Sequence, residues 1–463
     1  MALSESRWQR VFVLCALYVA QGVPWGFMLI TLPNYLVDKF GLSDDDTGEL
    51  IAIILVPWSF KLLWAPLMES YTIRSMGRRR PWIIGAELMM ALTLLGFLGI
   101  GDPSQSLNYL IGMYFLHNCF ASLQDVCTDA LALDVLPPEE QGQTNGLMWG
   151  SKLVGKGVGA WGLAYVLRWG GIEACVFVQI GILLLIMLVP LWILERPGEK
   201  RLPWSSGIAN EFAGSNIRPV SEVMKDVLRA FSLTTLLCYF AFTLLSLVGI
   251  GINEVITKTL YSQQLNPKWD NVELSTATGL YAVFPIIAGS VLGGYLGDRY
   301  GRRIILFTGF GGYALAAMTF AACPHLWDDR WFSMTYLLSY ETLYAIGSVG
   351  FLSMAMRISW TTAAATVFTV YMTLSNVSHV VGNWVAGPIR TALTFENAYG
   401  DAATLKSYEL TFWLIGVLSA LPLLILYFVR TDEVDKARGA EPATASADDA
   451  TKSEAKQEET TAT

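Results

Sequence analysis

The sequence predicts an all-α membrane protein of twelve transmembrane helices in two six-helix halves. Three observations predict it. Hydrophobic residues make up 53% of the 463 residues and charged residues only 15%, whereas soluble domains carry roughly 25% charged residues. The chain therefore has too little charge to cover a soluble surface of its size. Apolar runs of the roughly 20 residues that a membrane-crossing helix needs recur along the chain. The junction after the second run resembles the junction after the eighth, which divides the chain in two.

The first run, 11–37, follows Arg7 and Arg10 as the core of a signal peptide would. It is longer than such a core, which spans roughly 7–15 residues, and no small-residue cleavage site follows, so it reads as a retained span. The remaining spans are 46–68, 81–101, 107–135, 141–167, 172–194, 230–257, 273–296, 303–322, 332–356, 362–391 and 408–429. They group as an N-terminal half, 1–195, and a C-terminal half, 230–430, joined by a polar cytoplasmic linker, 196–229. Residues 431–463 are rich in Ala, Thr, Glu, Asp and Lys without aromatics, which predicts a disordered tail.

Lys and Arg set the orientation. With the N-terminus inside, the inner segments hold two (Arg7, Arg10), four within 69–80, six within 196–229, Arg299, Arg302, Arg303, Arg357, Arg430, Lys436 and Arg438, which is 19. The outer segments hold Lys39, Arg168, Lys258, Lys268, Arg330, Arg390 and Lys406, which is 7. The positive-inside rule then makes both termini cytoplasmic. The net charge of −8 argues against nucleic-acid partners. The six cysteines are scattered without a C-x-x-C pair, which supports neither a disulfide framework nor a zinc site. Nothing in the sequence asks for a cofactor or a metal.

The two alike junctions are Glu69 followed by Gly77-Arg78-Arg79-Arg80, and Gly297-Asp298-Arg299-Tyr300-Gly301-Arg302-Arg303. Each places an acid, a Gly and an Arg run at the same point of its half, and such internal symmetry is a signature of secondary transporters. The second junction, read from Gly293, resembles the cytoplasmic loop signature of the major facilitator superfamily. In the first half, Phe60-Lys61-Leu62-Leu63-Trp64-Ala65-Pro66-Leu67-Met68-Glu69 is similar to the muropeptide permease (AmpG) branch. So are Gln124-Asp125-Val126-Cys127-Thr128-Asp129 and Asp134-Val135-Leu136-Pro137-Pro138. Acetyl-coenzyme A transporters are related and share these motifs. Glu69 and Gln141 depart from the branch, which usually has Asp and Arg there.

Charges inside spans are costly, roughly 2.5–3.5 kcal/mol by insertion scales, and face the bundle interior or a water cavity. Lys61, Asp125 and Lys152 lie at similar depth, with Lys156 one turn from Lys152. They read either as an anion-binding wall, in which Asp125 pairs a lysine until solute or proton competes, or as a static pair that specifies helix packing. Gln124 joins this set. Gln21 and Pro24, with Gly22 and Gly26, mark a break that would line the cavity, and Trp25 either stacks on a sugar or base or packs as core. In the second half, Glu341 sits mid-span, and Asn376, His379 and Asn383 share one helical face. Asp125, Glu341 and His379 are the candidates for proton coupling, and a satisfied interhelical bond is the other reading of His379. Glu254 reads equally as a solvated cap. Superfamily resemblance assigns Glu69, Gly77, Arg78, Arg79, Arg80, Asp129 and Asp134 to a gate, and Gly297, Asp298, Arg299, Gly301, Arg302 and Arg303 to its counterpart.

Two motifs mislead. Gly150 to Gly157 nearly spells a phosphate-binding loop, and Gly157-Val-Gly159-Ala-Trp-Gly162 satisfies G-x-G-x-x-G. Both lie inside a span with no preceding strand, and that context is required for either. Close helix packing through Gly155 and Gly159 is the better account.

The reading is a proton-coupled secondary transporter in the bacterial inner membrane, a monomer rather than an enzyme, which moves an anionic amino-sugar or muropeptide-type solute. Acetyl-coenzyme A or another anionic metabolite is the alternative solute. An intramembrane enzyme would need a nucleophile or metal cluster, yet the three histidines are far apart in sequence. A non-transporting sensor would not need both Arg-rich junctions.

Overall fold

The computed structural model describes residues 2–61, 63–64, 68, 73, 75–99, 106–202, 204, 233–359 and 364–430. Glu69, most of the linker and the tail lie outside these residues, and of Asp298 only the backbone is described. Among the described residues the chain is helical without a β-strand.

The spans follow one another as expected. Helix α1 (Arg7–Phe40) contains a π turn at Phe27–Thr31 just beyond Pro24. Proline removes a backbone donor, so the ladder must adjust nearby. Helix α2 (Asp44–Leu55) starts where Ser43 accepts the Asp46 backbone N–H, with Asp44, Asp45 and Asp46 in its first turn complementing the helix dipole. It tightens into a 3₁₀ turn at Val56–Phe60, with Pro57 at the entrance. Helix α3 (Arg80–Leu98) carries Pro81 in its first turn, where a missing N–H costs nothing. Helix α4 (Leu107–Val135) stops before Pro137 and Pro138, and α5 (138–170) starts there.

The next boundary is a break at Gly171, whose φ of 70° and ψ of −172° separate α5 from α6 (172–192) inside one apolar stretch. In the second half come α7 (Thr234–Gln264), α8 (271–300), α9 (Arg302–Ala322), α10 (Arg330–Ile358), α11 (Ala364–Ala392) and α12 (Ala403–Ile425). Among the described residues, seven stretches are apolar enough to be recognised as spans by length and composition alone. Those that fall short include α4 with its three aspartates, α10 with Glu341, and α11 with Asn376, His379 and Asn383. Phe177, Leu185, Phe284, Val291, Leu315 and Leu424 are exposed on the outside of the bundle, which suits a lipid-facing belt.

One end of the bundle gathers the N-terminus, the first Arg-rich junction and the end of α6. The Leu3 N–H donates to Leu194 O at 2.8 Å, and the Lys200 N–H to Ser75 O at 2.8 Å. Most of the hydrogen bonds that join the two halves gather at the opposite end. Asn34 Nδ2 donates to Ser275 Oγ at 3.1 Å and Gln263 Nε2 to Leu42 O at 2.9 Å. There α2 and α11 approach until a Cβ on Gly48 would meet Asn383 O at 2.3 Å, and one on Gly387 would meet the Asp45 backbone N at 2.4 Å. Only glycine fits between backbones that close. The same holds for Gly159 of α5, where a Cβ would meet Val23 O at 2.0 Å. Gly22 and Gly26 likewise pack against the α5 backbone, so they serve helix approach instead of lining a cavity.

Candidate functional site

Asp125 of α4 is 3% exposed and lies between two lysines. Lys61, just past the 3₁₀ turn of α2, forms a close ion pair with one carboxylate oxygen, and Lys152 Nζ of α5 lies 3.3 Å from the other. Burial in the bundle demands this pairing, because a lone charge there is costly. Lys152 is also roofed by rings. Its ammonium sits 4.4 Å from the Trp25 ring centroid, 4.8 Å from Trp58, 5.5 Å from Trp149 and 5.6 Å from Tyr18. A desolvated cation over aromatic faces gains about 2 kcal/mol. Trp25 and Trp58 lie 4.8 Å apart, and Lys61 stands 4.7 Å from the Trp58 ring.

The structure thus brings Trp25, Lys61, Asp125 and Lys152 into one cluster. Trp58, Trp149 and Tyr18 were missed, although Trp58 and Trp149 each precede a lysine by three residues, a spacing that shares a helical face. Asp129 turns toward this cluster, accepting a hydrogen bond from Tyr18 Oη. It does so instead of joining the arginine junction, because four residues from Asp125 is one helical turn on the same face.

Gln21 and Gln124 stand behind the cluster. Gln21 Nε2 donates to Gln124 Oε1 at 2.7 Å, and Gln124 Nε2 donates to Glu87 Oε1 at 3.2 Å and to Leu17 O at 3.3 Å. All three side chains are buried, so the glutamines brace helices in this state instead of facing a solute. Glu87, the acid of the third span, was missed by the sequence reading; its place in an apolar run is a signal, but its partners are not neighbours in sequence.

The second half supplies the facing wall. Lys156 Nζ crosses to Glu341 Oε2 at 4.0 Å. His379 Nε2 lies 3.0 Å from Glu254 Oε2, and Lys258 Nζ 3.7 Å from Glu254 Oε1. Lys258, counted as an outer-segment cation, is instead buried within α7, which continues to Gln264. Glu254 is correspondingly an ion-pair partner and not a solvated cap. Asn376 Nδ2 donates across the halves to Trp58 O at 3.0 Å. Asn383 is fully buried, donating to His379 O at 3.0 Å with Gly48 packed on its backbone. It is a packing residue in this conformation.

At the Arg-rich junctions the bonds fasten each half to itself. Arg79 Nε pairs with Asp134 at 2.9 Å. Arg80 is fully buried, pairing with Glu199 at 3.0 Å and donating to the carbonyls of Met76, Pro190 and Lys200. Burial and the neighbouring Glu195 push the Glu199 carboxyl up to about 7. Gly77, at φ 101°, leaves room for that carboxylate, which a Cβ would meet at 2.4 Å. Arg78 is half-buried in the turn before α3. In the second junction, Gly297 ends the turn of α8 that leads to Gly301, at φ 95°; Arg302 donates to Ser353 O at 3.0 Å and Arg303 to Val429 O. Arg299 lies 5.5 Å from the Tyr300 ring. Among the described residues no three His, Cys, Asp or Glu side chains gather as metal ligands, and the cysteines are free.

Comparison with known proteins accords with this architecture. The family model of the Major Facilitator Superfamily matches residues 14–383. The chain is 26% identical to the anhydromuropeptide permease of Escherichia coli K12 over 456 residues, which is 92% of this chain and 82% of the permease. It is 32% identical over 143 residues to an uncharacterised protein of Schizosaccharomyces pombe, matching 30% of this chain and only 27% of that protein. Among solved structures, a nucleoside transporter superposes with a TM-score of 0.68 at 11% identity, covering 91% of this chain and all of the other.

Proposed function

Because the chain belongs to the major facilitator superfamily, and is a multi-pass membrane transporter and not an enzyme, we propose that it imports an anionic amino-sugar or muropeptide-type solute by proton-coupled alternating access. The observation that carries this reading is Asp125 holding Lys61 and Lys152 beneath Trp25 and Trp58. An internal carboxylate occupies the lysines when the site is empty, and a solute carboxylate competes with it. The tryptophan faces suit the apolar face of a sugar ring. Likeness to an anhydromuropeptide permease along 92% of the chain points to the same class.

On this reading the protein spans the bacterial inner membrane with its Arg-rich end and both termini on the cytoplasmic side, as the Lys and Arg bias requires. The halves, 1–195 and 230–430, rock about the central cluster as a monomer. The bonds among Asn34, Leu42, Gln263 and Ser275 then close the outer side, and the cluster faces inward.

The lysines would equally hold phosphate, so acetyl-coenzyme A or a similar anionic metabolite is the second reading. Uptake into proteoliposomes separates the two. Labelled anhydro-N-acetylmuramyl peptide should accumulate when the outside is acidic and fail to accumulate without a pH gradient. Accumulation of acetyl-coenzyme A with exclusion of the amino sugar would replace the first reading. Accumulation of neither would refute both.

A further inference from the structure

Five titratable side chains meet where the two halves face each other, and they come from four helices. Glu254 and Lys258 lie one turn apart on α7, Glu341 stands on α10, His379 on α11, and Lys156 reaches in from α5. His379 Nε2 is 3.0 Å from one Glu254 oxygen and Lys258 Nζ 3.7 Å from the other, while Lys156 Nζ is 4.0 Å from Glu341. Lys258 also stands within electrostatic reach of Glu341 and Lys156. Tyr313, Tyr340 and Tyr344 stand within electrostatic reach of the same two carboxylates. Two lysines thus balance two carboxylates. The histidine is the member of the set whose charge ordinarily changes near neutral pH. An added charge inside the bundle is expensive unless compensated, so a proton on the ring must be answered by regrouping of the pairs.

We propose that these residues hand a positive charge from one half to the other, so that a proton taken up at His379 releases Lys156 for the solute anion. In the neutral ring, Nε2–H donates to Glu254, which leaves Nδ1 to take a proton from water. The cationic ring then claims Glu254. Lys258 turns toward Glu341, and Glu341 gives up Lys156, whose ammonium takes a carboxylate or phosphate of the solute. The anion cancels the added charge, so proton and anion each favour the binding of the other. The inference deepens the transporter reading, and rests on it only for the identity of the anion.

The chain has three histidines, His117, His325 and His379, so the ring nitrogens of His379 can be followed by ¹⁵N NMR in histidine-labelled protein in nanodiscs, with no ligand added. Glu341→Gln should change the His379 titration, and the change should disappear in a Lys258→Met background, with Lys258→Gln as the second variant if Met disturbs folding. No change, or the same change in both backgrounds, overturns the hand-over. Calorimetry with N-acetylmuramic acid as the probe gives the second arm. Its affinity should rise about tenfold per unit fall of pH across the His379 titration, as one linked proton requires, and Lys258→Met should flatten that slope. Binding without pH dependence in the wild-type protein also overturns the hand-over. Failure of the probe to bind at any pH, with the spectral coupling intact, refutes the solute class and supports the hand-over.

Discussion

Arg390 of α11 and Asp44 at the start of α2 form an ion pair that joins the two halves at the end away from the Arg-rich junctions. Thr259 donates to the same carboxylate, and the Arg390 guanidinium lies 5.0 Å from the Tyr408 ring. Asp44 is 2% exposed. With Asp44 buried and the Arg390 side chain only 21% exposed, the pair is held by mutual compensation, and removing Arg390 strands the buried carboxylate.

The first prediction concerns this closure. Asp44→Asn or Arg390→Met alone should weaken the closed end by about 3–5 kcal/mol, and the double variant should lose less than the two together. Gln263, half-buried and bonded to Leu42 O, is part of the same closed end and reports on it. In a background without the native cysteines, Gln263→Cys should label slowly with an impermeant thiol reagent. Labelling should quicken in each single variant and slow again in the double. Equal rates in all four would remove the pair from the closure.

The second prediction follows from Asp125 being shared by two lysines. Asp125→Ala strands both, so folded yield should fall sharply, by about 3–5 kcal/mol of stability. Lys61→Ala leaves Asp125 with Lys152 and should cost less. Combining the two should recover part of the yield, read by size-exclusion chromatography, while uptake stays lost if Lys61 holds the solute. Strictly additive losses of yield would show that the pair is not coupled.

A third prediction is set by pH. Glu199 titrates near 7 in the fold and near 4.5 in its reference state. The folded chain therefore binds this proton more tightly than the unfolded chain. The stability it confers is present below about 4.5 and is lost as pH rises through about 7. Glu199→Gln should flatten the fall of thermal stability across that window. Parallel melting profiles for variant and wild type would mean that Glu199 does not titrate there.

Orientation gives the fourth. Reporter fusions at Gly101 and Gly207 should report outside and inside respectively, as the excess of Lys and Arg in the inner segments requires. The reverse pattern would invert the proposed inward-facing assignment.

Hydropathy along the chain determined the membrane class, the succession of spans and the division into halves, because the bilayer imposes the same length on every span. Charges in apolar runs stood out for the same reason, and Lys61, Asp125, Lys152, Glu341 and His379 were legible before any partner was known. Tertiary structure alone decided who meets whom. Asp129 reaches Tyr18 and not an arginine; Gln21 turns to Gln124 and Gln124 to Glu87; Lys258 leaves the outer segment for Glu254; and Asp44 finds Arg390 at a separation of 346 residues. Each outcome depends on the rotation and tilt of one helix against another, which packing of facing surfaces sets. A single chain's periodicity states which residues share a face, and it is silent on which helix that face will meet.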